Sequence, residues 1–328
     1  MERVEKLGLK RKFVIFLFIC LGTSIVKGQS GWTPIQRGEA GKDLTAVYFI
    51  DSKRGFVGGE EGRLVYTEDG GATWEKKTLP TEQTINDVYF RNKEVGFVLA
   101  GNSIFTSIDS GGTWRELQSF KPSDFKGAMP ELYSIRFSSK KNGWIVGSVS
   151  KKETVVDSLF LYTEDGGTTW FRRSLPTQKE LVHLDFVSDE RGWVVGANGT
   201  ILFTEDAGES WSVQRSGVTS MLNNVDFQDK KKGWIVGQKG TLLRTTDGGN
   251  NWVSVALPVN GALYSVKFIN EDNGWIVGRN GAILLSNDGG KSWIQQDSKT
   301  KHHLYALYMD KKIGCAVGGD GILVQYMK

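Results

Sequence analysis

Two carboxylates, Asp185 and Asp226, occupy the same place in two consecutive segments of the sequence, each directly before a phenylalanine. Two carboxyl groups at a defined separation are what a glycoside hydrolase needs. The flanking segments place Arg136 and Lys267 at this position, so the charges run plus, minus, minus, plus. Since buried charges are kept when they are paired, we expect Arg136 to face Asp185. Asp226 would likewise face Lys267. A polar lining that contacts a partner is the third interpretation.

The elements that must position these residues form a repeat. Seven tryptophans mark it, at Trp32, Trp74, Trp114, Trp170, Trp211, Trp252 and Trp293. A glycine followed by an aromatic residue marks most of the same units a second time. Within one unit, short apolar runs lie at 222–227, at 233–237, at 240–245 and from Trp252 onwards. Four short strands in about 40 residues are typical of a propeller blade.

The chain ends explain how the ring closes. The last unit has three strands and then stops, whereas Trp32 begins an orphan fourth strand at the N-terminus. The sequence therefore predicts an all-β fold, a seven-bladed β-propeller of four-stranded blades. Strands from both termini close one blade, which removes the open sheet edge.

A turn between the third and fourth strands recurs six times with the pattern [ST]-x-D-x-G-x-[TSN]-W and is identified as the Asp-box, or bacterial-neuraminidase repeat. Its aspartates are Asp69, Asp109, Asp165, Asp206, Asp247 and Asp288. Each carboxylate can accept backbone N–H groups across its own turn, which favours a structural role. A calcium site is disfavoured because each turn supplies a single carboxylate.

Enzymes occur on Asp-box propellers, so a catalytic function is one interpretation of this repeat. A sialidase needs an arginine cluster, a tyrosine nucleophile and a carboxylate partner, but the arginines here are scattered and the Phe-Arg-Ile-Pro-like segment is absent. Three histidines are too few and too dispersed for a zinc site. The glycine-rich turns lack the helix of a phosphate-binding loop. The sequence predicts no catalytic site, metal or cofactor. A carbohydrate-active enzyme, either a sialidase or another glycoside hydrolase, is the alternative.

The N-terminus predicts export. Basic residues end at Lys12, an apolar run covers 13–21, and a small-residue cleavage site precedes Gln29. We therefore expect a signal peptide at 1–28, cleaved near Gly28, and a single propeller domain at 29–328, with a retained membrane anchor as the alternative. The destination would be periplasmic, lumenal or extracellular. Basic and acidic residues balance after residue 28, which argues against nucleic-acid binding.

A binding surface is predicted on one face of the third blade. Strands alternate in direction, so the connections from fourth to first strands share a face with the turns between second and third strands. The spacing of 56 residues between Trp114 and Trp170 places insertions in both kinds of loop of this blade. Long loops on a rigid scaffold are common binding sites, although a tolerated insertion is the alternative. The candidate partner-binding residues are Phe120, Lys121, Phe125, Lys126, Lys151 and Lys152, with Arg63, Lys239 and Arg279 on the same rim.

The full repeat, best preserved at Gly192–Trp211, Gly233–Trp252 and Gly274–Trp293, resembles the photosystem II assembly and stability factors. The resemblance covers nearly all of residues 31–328. It implies a lumenal or periplasmic propeller that is not an enzyme and binds newly made reaction-centre polypeptides. We therefore expect a non-catalytic exported scaffold, a monomer that binds a protein or membrane-protein polypeptide. A glycan ligand is left open.

Overall fold

The computed structural model describes residues 31–36 and 38–327. The predicted signal peptide at 1–28 and its cleavage site lie outside the described residues. Strand β1 (Gly31–Gln36) comes first in the chain. The first three blades comprise β2 (Leu44–Phe49), β3 (Gly55–Gly59), β4 (Leu64–Thr67) and β5 (Glu75–Lys77); β6 (Ile85–Phe90), β7 (Gly96–Ala100), β8 (Ser103–Ser107) and β9 (Arg115–Ser119); and β10 (Met129–Phe137), β11 (Gly143–Lys151), β12 (Thr154–Thr163) and β13 (Phe171–Arg172).

Four further blades complete the ring. They comprise β14 (Leu181–Phe186), β15 (Gly192–Gly196), β16 (Ile201–Thr204) and β17 (Ser212–Gln214); β18 (Leu222–Phe227), β19 (Gly233–Gly237), β20 (Leu242–Thr245) and β21 (Val253–Ser254); β22 (Leu263–Phe268), β23 (Gly274–Gly278), β24 (Ile283–Ser286) and β25 (Ile294–Gln296); and β26 (Leu304–Met309), β27 (Gly314–Gly318) and β28 (Ile322–Met327). Among the described residues, no helix is long and apolar enough to cross a membrane.

The predicted closure of the seventh blade is confirmed. Its strand order is β1-β28-β27-β26, so the fourth strand comes from the opposite end of the chain. Six residue pairs join β1 to β28, among them Trp32 with Tyr326. The Trp32 side chain is 1% exposed and its ring centroid lies 5.2 Å from that of Tyr326. The prediction of seven four-stranded antiparallel blades is confirmed as well.

Aromatic side chains join neighbouring blades. Trp234 on β19 stacks on Phe268 of the next blade, with ring centroids 3.5 Å apart and ring planes 12° apart. Trp293, which follows the Asp-box of that next blade, meets Phe268 edge-on at 5.7 Å. Trp144 and Trp193 stack on the following blade in the same way. The repeated tryptophans and phenylalanines therefore pack between the blades as well as within them.

The third blade departs from the repeat. Strands β10, β11 and β12 have 9, 9 and 10 residues, whereas β14, β15 and β16 of the fourth blade have 6, 5 and 4. The second predicted insertion therefore lengthens two strands, which meet in a tight turn at Lys152 and Glu153. This corrects the expectation of a long loop. The backbone groups of the inserted residues hydrogen-bond to one another. The lengthened hairpin lies on the predicted face of the propeller.

Candidate functional site

The first strand of every blade lines an axial channel. A cavity of about 190 Å³ is bounded by residues of all seven first strands. A second cavity of about 360 Å³ lies nearer the ends of these strands, towards the Asp-box face. Asp87, Arg136, His183, Asp185 and Lys267 therefore converge on the axis.

Side chains of one first strand bind the backbone of the next. Asp185 Oδ2 accepts the Phe227 N–H at 2.7 Å, and Asp226 Oδ2 accepts the Phe268 N–H at 2.8 Å. The Tyr48 hydroxyl donates to the Phe90 carbonyl at 3.0 Å. Where sheets abut without sharing a ladder, these bonds satisfy polar groups that burial would otherwise leave unpaired.

The predicted pairing of Asp226 with Lys267 is present. Lys267 Nζ lies 2.6 Å from Asp226 Oδ1, and the Asp226 side chain is only 6% exposed. The charge of Asp226 raises the pKa of Lys267 above its ordinary value. A buried carboxylate is thus compensated by one ammonium and one backbone N–H, so the pair is primarily structural.

The other predicted ion pair is wrong. Arg136 Nη1 lies 2.8 Å from Asp87 Oδ2 of the preceding blade, and Arg136 Nη2 lies 2.9 Å from His183 Nε2. The long guanidinium group reaches backwards, where Asp87 also accepts the Ile135 N–H at 3.0 Å. Asp87 was missed because it stands two residues before the repeated position. An acidic residue there, opposite an arginine one blade later, is a detectable signal.

The acidity of Asp185 in the channel is altered by its surroundings. Burial, with the neighbouring charge of Asp226, raises the pKa of Asp185 to about 6. Burial, with Arg136 and Lys267, holds the pKa of His183 well below its ordinary value. A carboxylic acid with raised pKa next to an ionised partner can serve as a general acid. Here, however, both aspartates also bind the main chain of the next blade.

The six Asp-box turns share one geometry. In the first, Asp69 Oδ1 accepts the Thr67 hydroxyl and the Thr73 N–H, both at 2.8 Å. Asp69 Oδ2 accepts the Thr73 hydroxyl at 2.6 Å. These Thr73 bonds lower the pKa of Asp69 to about 2. The carboxylate oxygens are occupied within their own turn, and the described residues contain no cluster that could hold a metal ion.

The predicted apolar anchors of the partner surface, Phe120 and Phe125, are buried, with 8% and 9% exposure. They pack on each other and on second-blade residues such as Leu99 and Ile104. The expectation that they offer apolar surface to a partner is therefore wrong. A short 3₁₀ turn at Pro122–Phe125 directs Phe125 inward, so these rings fix the inserted loop to the propeller.

The predicted cationic residues lie on the surface. Lys121, Lys126, Lys151 and Lys152 are exposed on the third blade. Of the three rim residues, Lys239 and Arg279 are exposed on the 3₁₀ turns Gln238–Gly240 and Arg279–Gly281. Arg63 is half-buried and lies 2.7 Å from Glu39. The fold thus gathers the lysines of one blade, whereas the rim residues belong to the first, fifth and sixth blades.

Comparison with known proteins identifies the family. The sequence profile described as "Photosynthesis system II assembly factor YCF48" matches residues 26–120, 75–175, 127–216, 168–258, 209–301 and 250–327. No protein with a curated description matches the sequence.

Solved structures share the fold at low sequence identity. A structure of YCF48 bound to a D1 peptide has a TM-score of 0.74 and 20% identity, covering 92% of this chain and 96% of that one. YCF48 from Cyanidioschyzon merolae has a TM-score of 0.71 and 19% identity, covering 90% and 98%. A catalytically inactive virginiamycin B lyase from Staphylococcus aureus has a TM-score of 0.72 and 11% identity, covering 90% and 99%.

The lyase is an enzyme of the same fold, so the fold alone does not decide whether this chain is catalytic. The profile is more specific, because its matches follow the sequence through all seven blades. The chain therefore belongs to the photosynthesis system II assembly factor YCF48 family.

Proposed function

We propose that this chain is a non-catalytic, exported scaffold that binds a segment of a photosystem II reaction-centre polypeptide. The observation that carries the proposal is the family match along the whole propeller, from residue 26 to residue 327. A YCF48 structure of the same fold, bound to a D1 peptide, supports a polypeptide as the ligand. The chain would act as a monomer, since β1 completes the seventh blade within the same chain and no strand of a second copy is needed there.

The contact surface in this proposal is the third-blade face with its four exposed lysines. They are Lys121, Lys126, Lys151 and Lys152. Because Phe120 and Phe125 are buried, attraction would depend mainly on charge and on backbone contacts. Exposed charges are screened by salt, so binding should weaken as ionic strength rises.

The experiment measures binding of overlapping synthetic peptides that together span the D1 polypeptide, at low and at physiological ionic strength. Reversing two charges with Lys151→Glu/Lys152→Glu should weaken binding by about tenfold. Lys230→Glu/Lys231→Glu is the matched control, because it makes the same charge change on an exposed loop of the opposite face. If no D1 peptide binds the native protein, or if the control variant alone loses binding, the proposal is wrong.

Export is part of the proposal and is tested separately. N-terminal sequencing of the protein from its native host should begin near Gln29. An intact N-terminus in the membrane fraction would instead support a retained anchor.

A carbohydrate-active enzyme is the second candidate function, favoured by the raised pKa of Asp185 beside Asp226 at the wider channel cavity. The two aspartates resemble the acid and base of a glycoside hydrolase in this respect. Their bonds to the Phe227 and Phe268 N–H groups argue for a structural role. Hydrolysis of sialosides or other glycans that Asp185→Asn abolishes would replace the scaffold proposal.

A further inference from the structure

The third strand of the third blade extends well beyond its fourth strand. In the fifth blade, β21 pairs with two of the four residues of β20, and the Val255 N–H adds one bond to the Leu242 carbonyl. In the third blade, β13 pairs only with Leu161 and Tyr162 of the ten-residue β12, and Arg173 N–H adds one bond to the Phe160 carbonyl. Within the described residues, no strand pairs with the outer side of Thr154–Ser158. This segment is the β12 edge. Leu159 is fully buried, and the Ser158 hydroxyl donates to the carbonyls of Thr177 and Lys179.

We propose that the β12 edge binds an extended acidic peptide, which adds as a strand beside the part of β12 that β13 does not cover. The added strand would run antiparallel to β12, in line with β13. Strand addition to an exposed edge is an established form of peptide recognition, in which main-chain hydrogen bonds supply the affinity. The inference rests on the proposed function, for which it specifies the site and the mode of binding.

The seventh blade provides a precedent within the molecule. Its fourth strand, β1, is separated from β28 by nearly the whole chain, yet pairs with it through six residues. This fold therefore accepts as its outermost strand a segment that no short turn connects to the third strand. An extended segment of another polypeptide would meet the same backbone geometry on β12.

Charge determines the chemistry of the occupant. Lys151 and Lys152 are exposed at the turn that leads into β12, and Arg172 and Lys179 are exposed near its other end. The acidic residues there are Glu153, which is exposed, Glu180, which is half-buried, and Asp157, whose carboxylate lies 2.7 Å from Arg172 Nη2. Cations are in excess at the turn, so a peptide with carboxylates at that end of its strand is complementary.

The surface beside the edge has room for side chains. A concavity of about 390 Å³ lies where β13 ends, lined by residues that include Ser158, Arg172, Leu175 and Pro176. Val156, on the edge itself, is 43% exposed. Apolar and polar side chains of an added strand would therefore find contacts at both ends of the β12 edge.

Two features of the β12 edge disfavour its pairing with a second copy of the same chain. The register of β11 and β12 shifts near Val156, which forms a bulge, and Asp157 accepts the Ser158 N–H at 3.0 Å. Bulges and charged side chains prevent rigid, flat edges from pairing. A flexible peptide can follow a bulged strand and displace one side-chain bond, so these features favour a peptide over a second propeller.

The test uses the D1 peptide that binds most tightly in the experiment above. Hydrogen exchange should show that this peptide protects the amides of residues 154–158. Two versions of the peptide carry main-chain N-methyl groups on alternate residues. Since alternate N–H groups of an added strand face its neighbour, one version should bind about tenfold more weakly and the other should bind normally. Val156→Pro should also weaken binding while the urea midpoint shows that the protein is folded.

The outcomes separate the two proposals. If the native protein binds no D1 peptide, the proposed function fails, and this inference fails with it. If a peptide binds but residues 154–158 gain no protection, or both methylated versions bind equally, only strand addition is overturned. Protection that rises with protein concentration in the absence of peptide, together with sedimentation as a dimer, would assign the edge to a second copy and overturn the inference.

Discussion

At the residue scale, the Asp-box carboxylates are held in their charged form by their own turns. The Ser292 hydroxyl and N–H donate to Asp288 at 2.6 and 3.0 Å, and these bonds lower the pKa of Asp288 to about 2. Asp69, Asp109 and Asp165 have pKa values of about 2 as well. An unfolded aspartate has a pKa near 3.9. Each turn therefore contributes stability that is complete above about pH 4 and is lost as the pH falls towards 2.

We expect Asp288→Asn to lower the free energy of unfolding at neutral pH. The decline of this free energy between about pH 4 and pH 2 should also become less steep, because the variant lacks one carboxyl group whose pKa is lowered by folding. Urea unfolding at a series of pH values measures both effects. Glu209→Gln is the control, because it removes a charge from another Asp-box turn without altering that turn's aspartate. Equal slopes for native protein and Asp288→Asn would show that the turn bonds contribute nothing to acid sensitivity.

At the element scale, the blades are joined by aromatic residues that belong to different repeats. The Asp-box glycine takes part in this contact: a Cβ atom at Gly290 would lie 2.2 Å from Trp234 Nε1 of the preceding blade. The turn thus stabilises its own hairpin and also contacts the preceding blade. Cys315 occupies the position that a tryptophan or phenylalanine takes in the other blades. Phe49 of the next blade packs against Tyr308 instead, with ring centroids 5.3 Å apart.

Trp234→Ala should destabilise the protein by about 3–5 kcal/mol, because it empties a fully buried site between two blades. Val253→Ala, on the outer strand of the same blade and 63% exposed, should change stability by less than about 0.5 kcal/mol. Chemical unfolding monitored by circular dichroism measures both. A loss at Trp234 no larger than that at Val253 would mean that the stacking contacts do not hold the blades together.

At the scale of the whole molecule, stability depends on ring closure. Trp32 packs against Tyr326, which also contacts Trp275, and thereby fixes β1 on β28. Trp32→Ala should release β1, speed hydrogen exchange along β28 and expose an edge that promotes self-association. Hydrogen exchange and analytical ultracentrifugation measure these effects. Trp114→Ala, at an interior blade, is the control and should destabilise without self-association. Unchanged exchange along β28 in Trp32→Ala would show that closure does not depend on this tryptophan.

The sequence by itself determined the features that depend on local chemistry or on repetition. Turn residues specify each Asp-box, seven repeats specify the blade count, and the unmatched Trp32 strand specifies the closure, because an incomplete blade must be completed by the remaining segment. The Asp226–Lys267 pair followed from equivalent positions in adjacent repeats. Binding of a polypeptide ligand depends on the chemistry of the surface residues, which the repeat pattern does not specify.

Only the tertiary structure decided the contacts that lie between blades or depart from the repeat. Arg136 pairs with Asp87 of the preceding blade, although Asp185 of the next blade is also a carboxylate. The long arginine side chain can extend towards either blade, and its position in the repeat does not specify which. Phe120 and Phe125 are buried because second-blade residues cover them, which the inserted loop alone does not reveal. The second insertion became strand because its backbone groups could pair with one another, and that pairing created the β12 edge.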